Sequence, residues 1–456
     1  MLPHLPSLWY SFAIAHHEGA RGLWLPLGLE RLHMTQRGRE NVMSDHDDDV
    51  RAARVGAVPE GPVAIVLTGA GARGAYEAGF ASSLLPRLRR SRPTILVGTS
   101  AGAINAALLA SLAHMTADDA SRELVERWQR IHKEMVLGPV SLSLLRAGAQ
   151  YIAGLFGIVD LNPMSLLDTR PLLASLKSST LIDWNSIHSN INSKIIDTLA
   201  VATTESNSGR TKIFYQSHQD MTIGSDEARA IDYVRTRLSA EHVLASASIP
   251  VLFRPTRIGA QDRGPFFVDG GLRLNAPLAP ARAFGAKGLV VISTDSRWYG
   301  ASAAMNIRRI PTLQDHILQI LRMITSDRMV EEVRVLLEQG EESRAAGAIP
   351  IIFGGPSGQD DVGSVAARAV EDILRGTRKF KHIDLRLVYW LTSMSPYSRP
   401  DVLSYILFEP QFISAAIQAG IQDAEELIAD HPTESGLWRV LSEKFARNRN
   451  RPPTST

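Results

Sequence analysis

From Pro62 onward, short apolar runs alternate with longer helical stretches. Val63-Ala64-Ile65-Val66-Leu67 is a continuous apolar run, followed by the turn Gly69-Ala70-Gly71-Ala72-Arg73-Gly74. A helical stretch then runs from Ala75 to about Leu85, where Pro86 ends or kinks it. The pattern repeats: Thr94-Ile95-Leu96-Val97, the turn Gly98-Thr99-Ser100-Ala101-Gly102, and a helix from Ala101 to Ala113. A short apolar run bounded by turn residues reads as a strand buried on both faces. Strand, turn and helix in succession predict an α/β fold: a mostly parallel central sheet with helices on both faces. Further strands are expected at Leu199 to Thr203, Ile213 to Gln216, Phe266 to Val268, Leu289 to Ser293 and Leu385 to Leu391. Long amphipathic helices are expected near Leu313 to Gln339 and Phe412 to Ile428. No internal repeat is present.

The flanks look different. Residues 1–60 lack periodicity and carry the acidic run Asp45-His46-Asp47-Asp48-Asp49. That run reads as a solvated tail instead of a metal site, because nothing sets the geometry of ligands. Met34 and Met43 are alternative starts. The expected organisation is a tail over 1–60, an α/β domain over 61–295, a mainly helical region over 296–445 packing on it, and a basic tail over 446–456. The run Leu5 to Ile14 lacks a basic lead, and Ala101 to Ala113 is too short to span a bilayer, so neither a signal nor a transmembrane helix is expected. The mildly apolar stretch Gly138 to Ile158 reads as a core or connecting segment, or else as a lid or lipid-facing surface.

Composition narrows the chemistry. The chain has 456 residues, 45% of them hydrophobic and 21% charged, with a formal net charge of +2. Such a balance gives no argument for nucleic acid as a partner. There is no cysteine, which excludes disulfides and thiolate catalysis. No spaced set of His, Asp and Glu calls for a metal, and no cofactor is expected.

Each glycine turn has more than one reading. Gly-x-Gly-x-x-Gly after a strand can hold a dinucleotide, but that use expects an acid about 20 residues on, at the end of the second strand. Here that strand ends in Gly98-Thr99-Ser100, without one. The other reading is an oxyanion site. Backbone N–H groups of Gly71 and Ala72, backed by the helix dipole, can face a developing negative charge, with Arg73 holding the loop. Gly98-Thr99-Ser100-Ala101-Gly102 lifts a serine hydroxyl clear of a sheet at a helix N-terminus. A serine nucleophile needs a base. None of His114, His132, His188, His218, His242, His316, His382 and His431 sits in a glycine-rich turn at a strand end. Phe266-Phe267-Val268-Asp269-Gly270-Gly271 instead delivers an aspartate from an apolar strand into a double-glycine turn.

The order of these three motifs resembles the patatin-like phospholipase family, in its bacterial form. Ala245-Ser246-Ala247-Ser248-Ile249-Pro250, Leu252-Phe253-Arg254-Pro255 and Leu272-Arg273-Leu274-Asn275-Ala276-Pro277-Leu278 agree with it, from about Pro62 to about Thr294. The stretch around Thr325-Ser326-Asp327-Arg328 is similar but less specific. The resemblance implies a catalytic dyad, with Ser100 as nucleophile and Asp269 as base. It implies an oxyanion hole at Gly69, Ala70, Gly71, Ala72, Arg73 and Gly74, with Gly98, Gly102, Gly270 and Gly271 shaping the turns. Ala70 departs from the glycine of many relatives. The implied activity is phospholipase A or lysophospholipase hydrolysis, on a phospholipid or other acyl ester, in the cytoplasm or at a membrane surface. Two alternatives stay open: a Ser-His-Asp esterase of α/β-hydrolase type, with His316 or His382 as base, and a non-enzymatic lipid- or nucleotide-binding module.

Overall fold

The computed structural model describes residues 58–143, 145–146, 149, 165–259, 264–294, 349–357, 362–376 and 399–438. The expected tails, the strand at Leu385 to Leu391, the helix at Leu313 to Gln339 and most of Gly138 to Ile158 lie outside them.

Nine described strands form one sheet: β1 Val63–Leu67, β2 Pro93–Thr99, β3 Thr198–Glu205, β4 Thr211–Ser217, β5 Ile231–Arg235, β6 Thr256–Arg257, β7 Phe266–Asp269, β8 Gly288–Ile292 and β9 Ile351–Gly354. Their order is β5-β4-β3-β2-β1-β8-β9. The run from β3 through β2, β1 and β8 to β9 is parallel. β4 pairs antiparallel with β3, and so does β7, which also carries β6. Six of the expected strands are present within one or two residues at each end. Three strands were not anticipated: β5, which opens on Ile231-Asp232-Tyr233, β9, and the two-residue β6. Each is too short or too mixed to show a period.

The sheet is covered on both sides because its strands alternate between two cores. Val63, Ile65, Leu67, Leu96, Val201 and Ile292 face one cluster. Ala64, Val66, Ile95, Val97, Ala202 and Val291 face the other. The first cluster is built on α1 Gly74–Leu84, α2 Ala101–Leu112 and α3 Ala117–Gln129. The chain continues through α4 Arg170–Lys177, α5 Trp184–Asn192 and α6 Ala240–Ser246. The second face is covered from α7 Leu278–Ala283, through Leu278, Ala281 and the adjoining Phe284. After β9 come α8 Val362–Gly376, α9 Arg399–Ile406 and α10 Pro410–Asp430. Helix α2 is buried along its whole length, as a composition interrupted only by Asn105 and Ser111 requires. Pro86 falls in a 3₁₀ turn, Leu85–Arg87, that follows directly on α1.

Helix α10 lies hard against α1. A Cβ on Gly79 would stand 2.2 Å from Ile417 O, and one on Gly420 would stand 2.1 Å from Tyr76 O. The two helices therefore cross backbone to backbone. Tyr76 Oη donates to Asp423 Oδ2 at 2.7 Å across the same crossing. Gly420→Val must push the helices apart, and overpacking of this kind costs about 1 to 3 kcal/mol. The expected result is a lower midpoint in urea with an unchanged slope, read by equilibrium unfolding.

Candidate active site

Strand β3 brings the separate motifs together. Along one edge, β2 pairs with it as far as Thr99 opposite Ala202. On that edge β7 then takes over, with Asp269 opposite Thr203. Adjacent residues of β3 thus hold the ends of two strands that are distant in sequence. Ser100 is the residue after Thr99, so it emerges beside Asp269. Its hydroxyl is close enough to the Asp269 carboxyl to pull that group's pKa down against the effect of burial.

The serine backbone is strained. Ser100 has φ 54 and ψ −124, a region a side chain rarely enters. Close packing holds it there. A Cβ on Gly98 would lie 2.2 Å from Gly102 O, and one on Gly102 would lie 2.3 Å from Leu67 O. The Ser100 N–H donates to Ser246 Oγ at 2.8 Å, and Ser246 Oγ donates to Ala202 O at 2.6 Å. Thr99 Oγ1 donates to Leu274 O at 3.0 Å. Helix α2 begins at the next residue, so Ser100 sits at its positive end.

Asp269 is 6% exposed. Its backbone N–H donates to Ser248 O at 2.9 Å, and its Oδ1 accepts the Gly271 N–H at 2.7 Å. Burial pushes its carboxyl up to about 6, against the opposing pull of the Ser100 hydroxyl and the Gly271 amide. A Cβ on Gly270 would stand 2.3 Å from Ala202 O, so this turn must be glycine to reach β3.

The first glycine turn lies against the second: a Cβ on Gly69 would be 3.1 Å from Ser100 Cβ. Residues Gly71–Arg73 form a 3₁₀ turn that runs into α1. Three amides of the loop are engaged. Gly69 N–H donates to Asn275 Oδ1 at 2.9 Å, Arg73 N–H to Ala70 O at 3.1 Å, and Gly74 N–H to Gly71 O and Ala72 O. The amides of Gly71 and Ala72 open a helical turn, where N–H groups have no intrahelical acceptor. Gly71 takes φ +56, and a Cβ there would also strike Tyr405 O at 2.3 Å. Ala70 has φ −150, so its methyl group meets no backbone penalty. Arg73 is 5% exposed and is no surface arginine. Its Nε donates to Ser404 Oγ at 2.6 Å, and its guanidinium lies 4.4 Å from the centre of the Tyr405 ring.

A buried carboxylate that the motifs did not reveal braces the same loop. Glu77 Oε1 accepts the N–H and hydroxyl of Thr68 at 2.8 and 3.0 Å, and Oε2 accepts Asn105 Nδ2 at 3.0 Å. Asn105 Oδ1 accepts Trp128 Nε1 at 2.6 Å. One network therefore ties the glycine loop, α1, α2 and α3. The available signal was a lone acid inside the apolar segment Gly74-Ala75-Tyr76-Glu77-Ala78-Gly79-Phe80.

Ser100 and Gly71 open onto an apolar pocket of roughly 570 Å³ including its mouth. Ile104, Trp128, Met135 and Leu172 line one part of it, and Ile249, Phe253, Tyr405 and Phe408 another. The histidines are engaged elsewhere: His114 with Asn190, His132 with Arg130 O, His188 with Gln216, His218 with Asp197 and His242 with Ser239. His316 and His382 lie outside the described residues. Among the described residues no group of three or more His, Asp or Glu side chains could hold a metal ion.

Two outcomes follow from the buried acids. An aspartate whose folded pKa lies near 6, against 3.8 unfolded, makes folding less favourable above that window. Asp269→Asn should therefore raise stability at pH 8 by about 2 to 3 kcal/mol, and the gain should vanish as pH falls from 6 to 4. Paired urea unfolding curves across that range check it. Glu77→Ala strands the Thr68 and Asn105 donors and should cost about 3 kcal/mol or more in the same measurement.

Residues 65–282 match the family model described as patatin-like phospholipase. Comparison with curated proteins found no match. Among solved structures, VipD from Legionella pneumophila is similar at 15% identity, with a TM-score of 0.33, over 82% of this chain and 68% of that one. Residues 65–282, which hold the central strands from β1 to β7 and the glycine turns between them, are thus similar to the patatin-like phospholipases, a family of lipid acyl hydrolases.

Proposed function

We propose that the protein is a serine acyl-ester hydrolase of phospholipase A or lysophospholipase type, working through Ser100 and Asp269. The register of β3, which brings Ser100 beside Asp269, together with burial that makes this carboxyl more basic, carries this reading. An aspartate near its ordinary pKa of about 3.9 is a poor base, and desolvation is what improves it.

The ester places its acyl chain in the apolar pocket and its carbonyl over Ser100. Ser100 Oγ attacks the carbonyl carbon as Asp269 takes the hydroxyl proton. The tetrahedral oxyanion rests on the Gly71 and Ala72 amides, with the dipoles of α1 and α2 adding positive field. The C–O bond to the alcohol then breaks, and Asp269 returns the proton to the leaving oxygen. Water enters, gives its proton to Asp269 and attacks the acyl-enzyme. The serine leaves, recovers the proton, and the acid is released. In this scheme Gly69, Arg73 and Gly74 shape the loop, and Ala70, Gly71 and Ala72 stand nearest the anion.

The pocket favours a hydrocarbon chain, because its lining apart from Ser100, Gly71 and Ser175 is apolar or aromatic. No helix among the described residues is long and apolar enough to cross a membrane.

Ser100→Ala and Asp269→Asn should each lower kcat/KM on acyl esters by at least about 1000-fold while the protein stays folded. A fluorophosphonate probe should label the wild type and not Ser100→Ala. The kcat/KM of the wild type should fall below about pH 6, as Asp269 gains a proton and can no longer accept one. Retained hydrolysis in folded Asp269→Asn would overturn the dyad in favour of a histidine base.

A further inference from the structure

Large exposed apolar side chains are few among the described residues: Leu142, Leu145, Ile195 and Val251. Three of them lie in two segments that also supply residues to the pocket lining. Val251 lies between Ile249 and Phe253, both of which line it. Leu142 and Leu145 follow the lining residue Val136, in a helical run that starts at residue 140. A single segment joins the two. Leu166 and Leu167 N–H donate to Val251 O and Leu252 O at 3.0 and 2.9 Å, and Gly138 N–H donates to Asp168 O at 2.9 Å.

The arrangement is specific. Val140 is buried, while Leu142 is 41% exposed and Leu145 is 70% exposed. Leu142, Leu145 and Arg146 stand three and four residues apart, on one helix face. Val251 is 70% exposed and has φ 71, an outlier for a β-branched residue. The fold thus holds an apolar side chain in water, on a strained backbone, where glycine would relieve the strain. Two exposed cations share the region. Arg254 follows Phe253, and Arg146 is near enough to Asp168 to add to the stronger effect of Arg170 in holding that carboxyl low. Apolar side chains interleaved with arginines match a surface of acyl chains under anionic headgroups.

We infer that Leu142, Leu145 and Val251, with Arg146 and Arg254, dock the mouth of the pocket onto an anionic lipid surface. The inference rests on the acyl-ester hydrolase reading for its purpose, since docking would let a chain pass from the bilayer into the pocket. Its test is separate. The full chain is sedimented with vesicles of phosphatidylcholine and phosphatidylglycerol, and with phosphatidylcholine alone. Wild type and Ser100→Ala should bind the mixed vesicles equally.

Val251→Asp and Leu145→Asp should each lower the bound fraction about tenfold or more. Both should keep wild-type rates on a short, water-soluble ester, which also shows that they fold. Arg146→Gln combined with Arg254→Gln should remove the preference for anionic vesicles. Val251→Gly should fold at least as stably and still lose binding. Ile195→Asp lies at the opposite end of the sheet, where Asp197 N–H meets Thr94 O, and should bind as wild type. Wild type that stays in solution with both vesicles overturns the proposal and leaves the face to a protein partner. Undiminished binding of Val251→Asp and Leu145→Asp, or an equal loss in Ile195→Asp, overturns it as well. Ester hydrolysis retained by Ser100→Ala would instead overturn the hydrolase reading and leave vesicle binding standing.

Discussion

The site depends on the pairing of two strands with consecutive residues of β3. Thr99 stands opposite Ala202, and Asp269 stands opposite Thr203. A one-residue slip in either ladder would turn the paired side chain to the other face of the sheet. Register is therefore as much a part of the chemistry as the side chains are. Ala202 O also accepts Ser246 Oγ, which in turn receives the Ser100 amide. The turn at Gly270 packs on the same carbonyl. Around a single peptide of β3, the fold assembles the proposed nucleophile, the proposed base and the bond that holds the nucleophile's backbone.

That assembly stores strain. A non-glycine residue in the region of Ser100 costs on the order of 1 to 3 kcal/mol. The surroundings leave it no alternative, because Gly98, Gly102 and Leu67 O are packed without room for a Cβ. The buried helix α2 continues directly from the strained residue and anchors it. Glu77 and Asn105 then couple the helices that follow the two glycine turns. A carboxylate with its hydrogen bonds satisfied can rigidify such a junction, at the cost of being hard to replace.

The matched domain ends at residue 282, but the site does not. Tyr405 and Phe408 complete the wall of the pocket. Ser404 and Tyr405 hold Arg73, which lies in the glycine loop itself. Helix α10 meets α1 backbone to backbone and carries the adjoining α9 into place. The C-terminal helices thus shape both the loop that would face the oxyanion and the space that would take the acyl chain. A role limited to packing around the core describes them too modestly.

Much of the fold was legible in local pattern. Val63 to Leu67 and Thr94 to Val97 are apolar runs between turn residues, too short for a helix and rich in β-branched side chains, and they read as buried strands. Pro86 ended a helix where proline must, and Phe412 to Ile428 carried a helical period into α10. Ser100 stood out because glycines on both sides permit a turn that other residues forbid. Asp269 stood out because an apolar strand ran straight into Gly270-Gly271. Other features had no local signature. β5, β6 and β9 are short and take their conformation from their neighbours. Glu77, Asn105, Ser246 and Asn275 matter through partners far away in the chain. Val251 has no sequence reason to be strained. The sequence by itself determined the central strands, the helices that follow the two glycine turns, and which turns can carry chemistry, because those follow from side-chain periodicity and backbone freedom. The tertiary structure alone decided that Ser100 meets Asp269, that burial raises that carboxyl, and that Tyr405 closes the pocket. Those depend on strand register and on water excluded by residues brought together from across the chain.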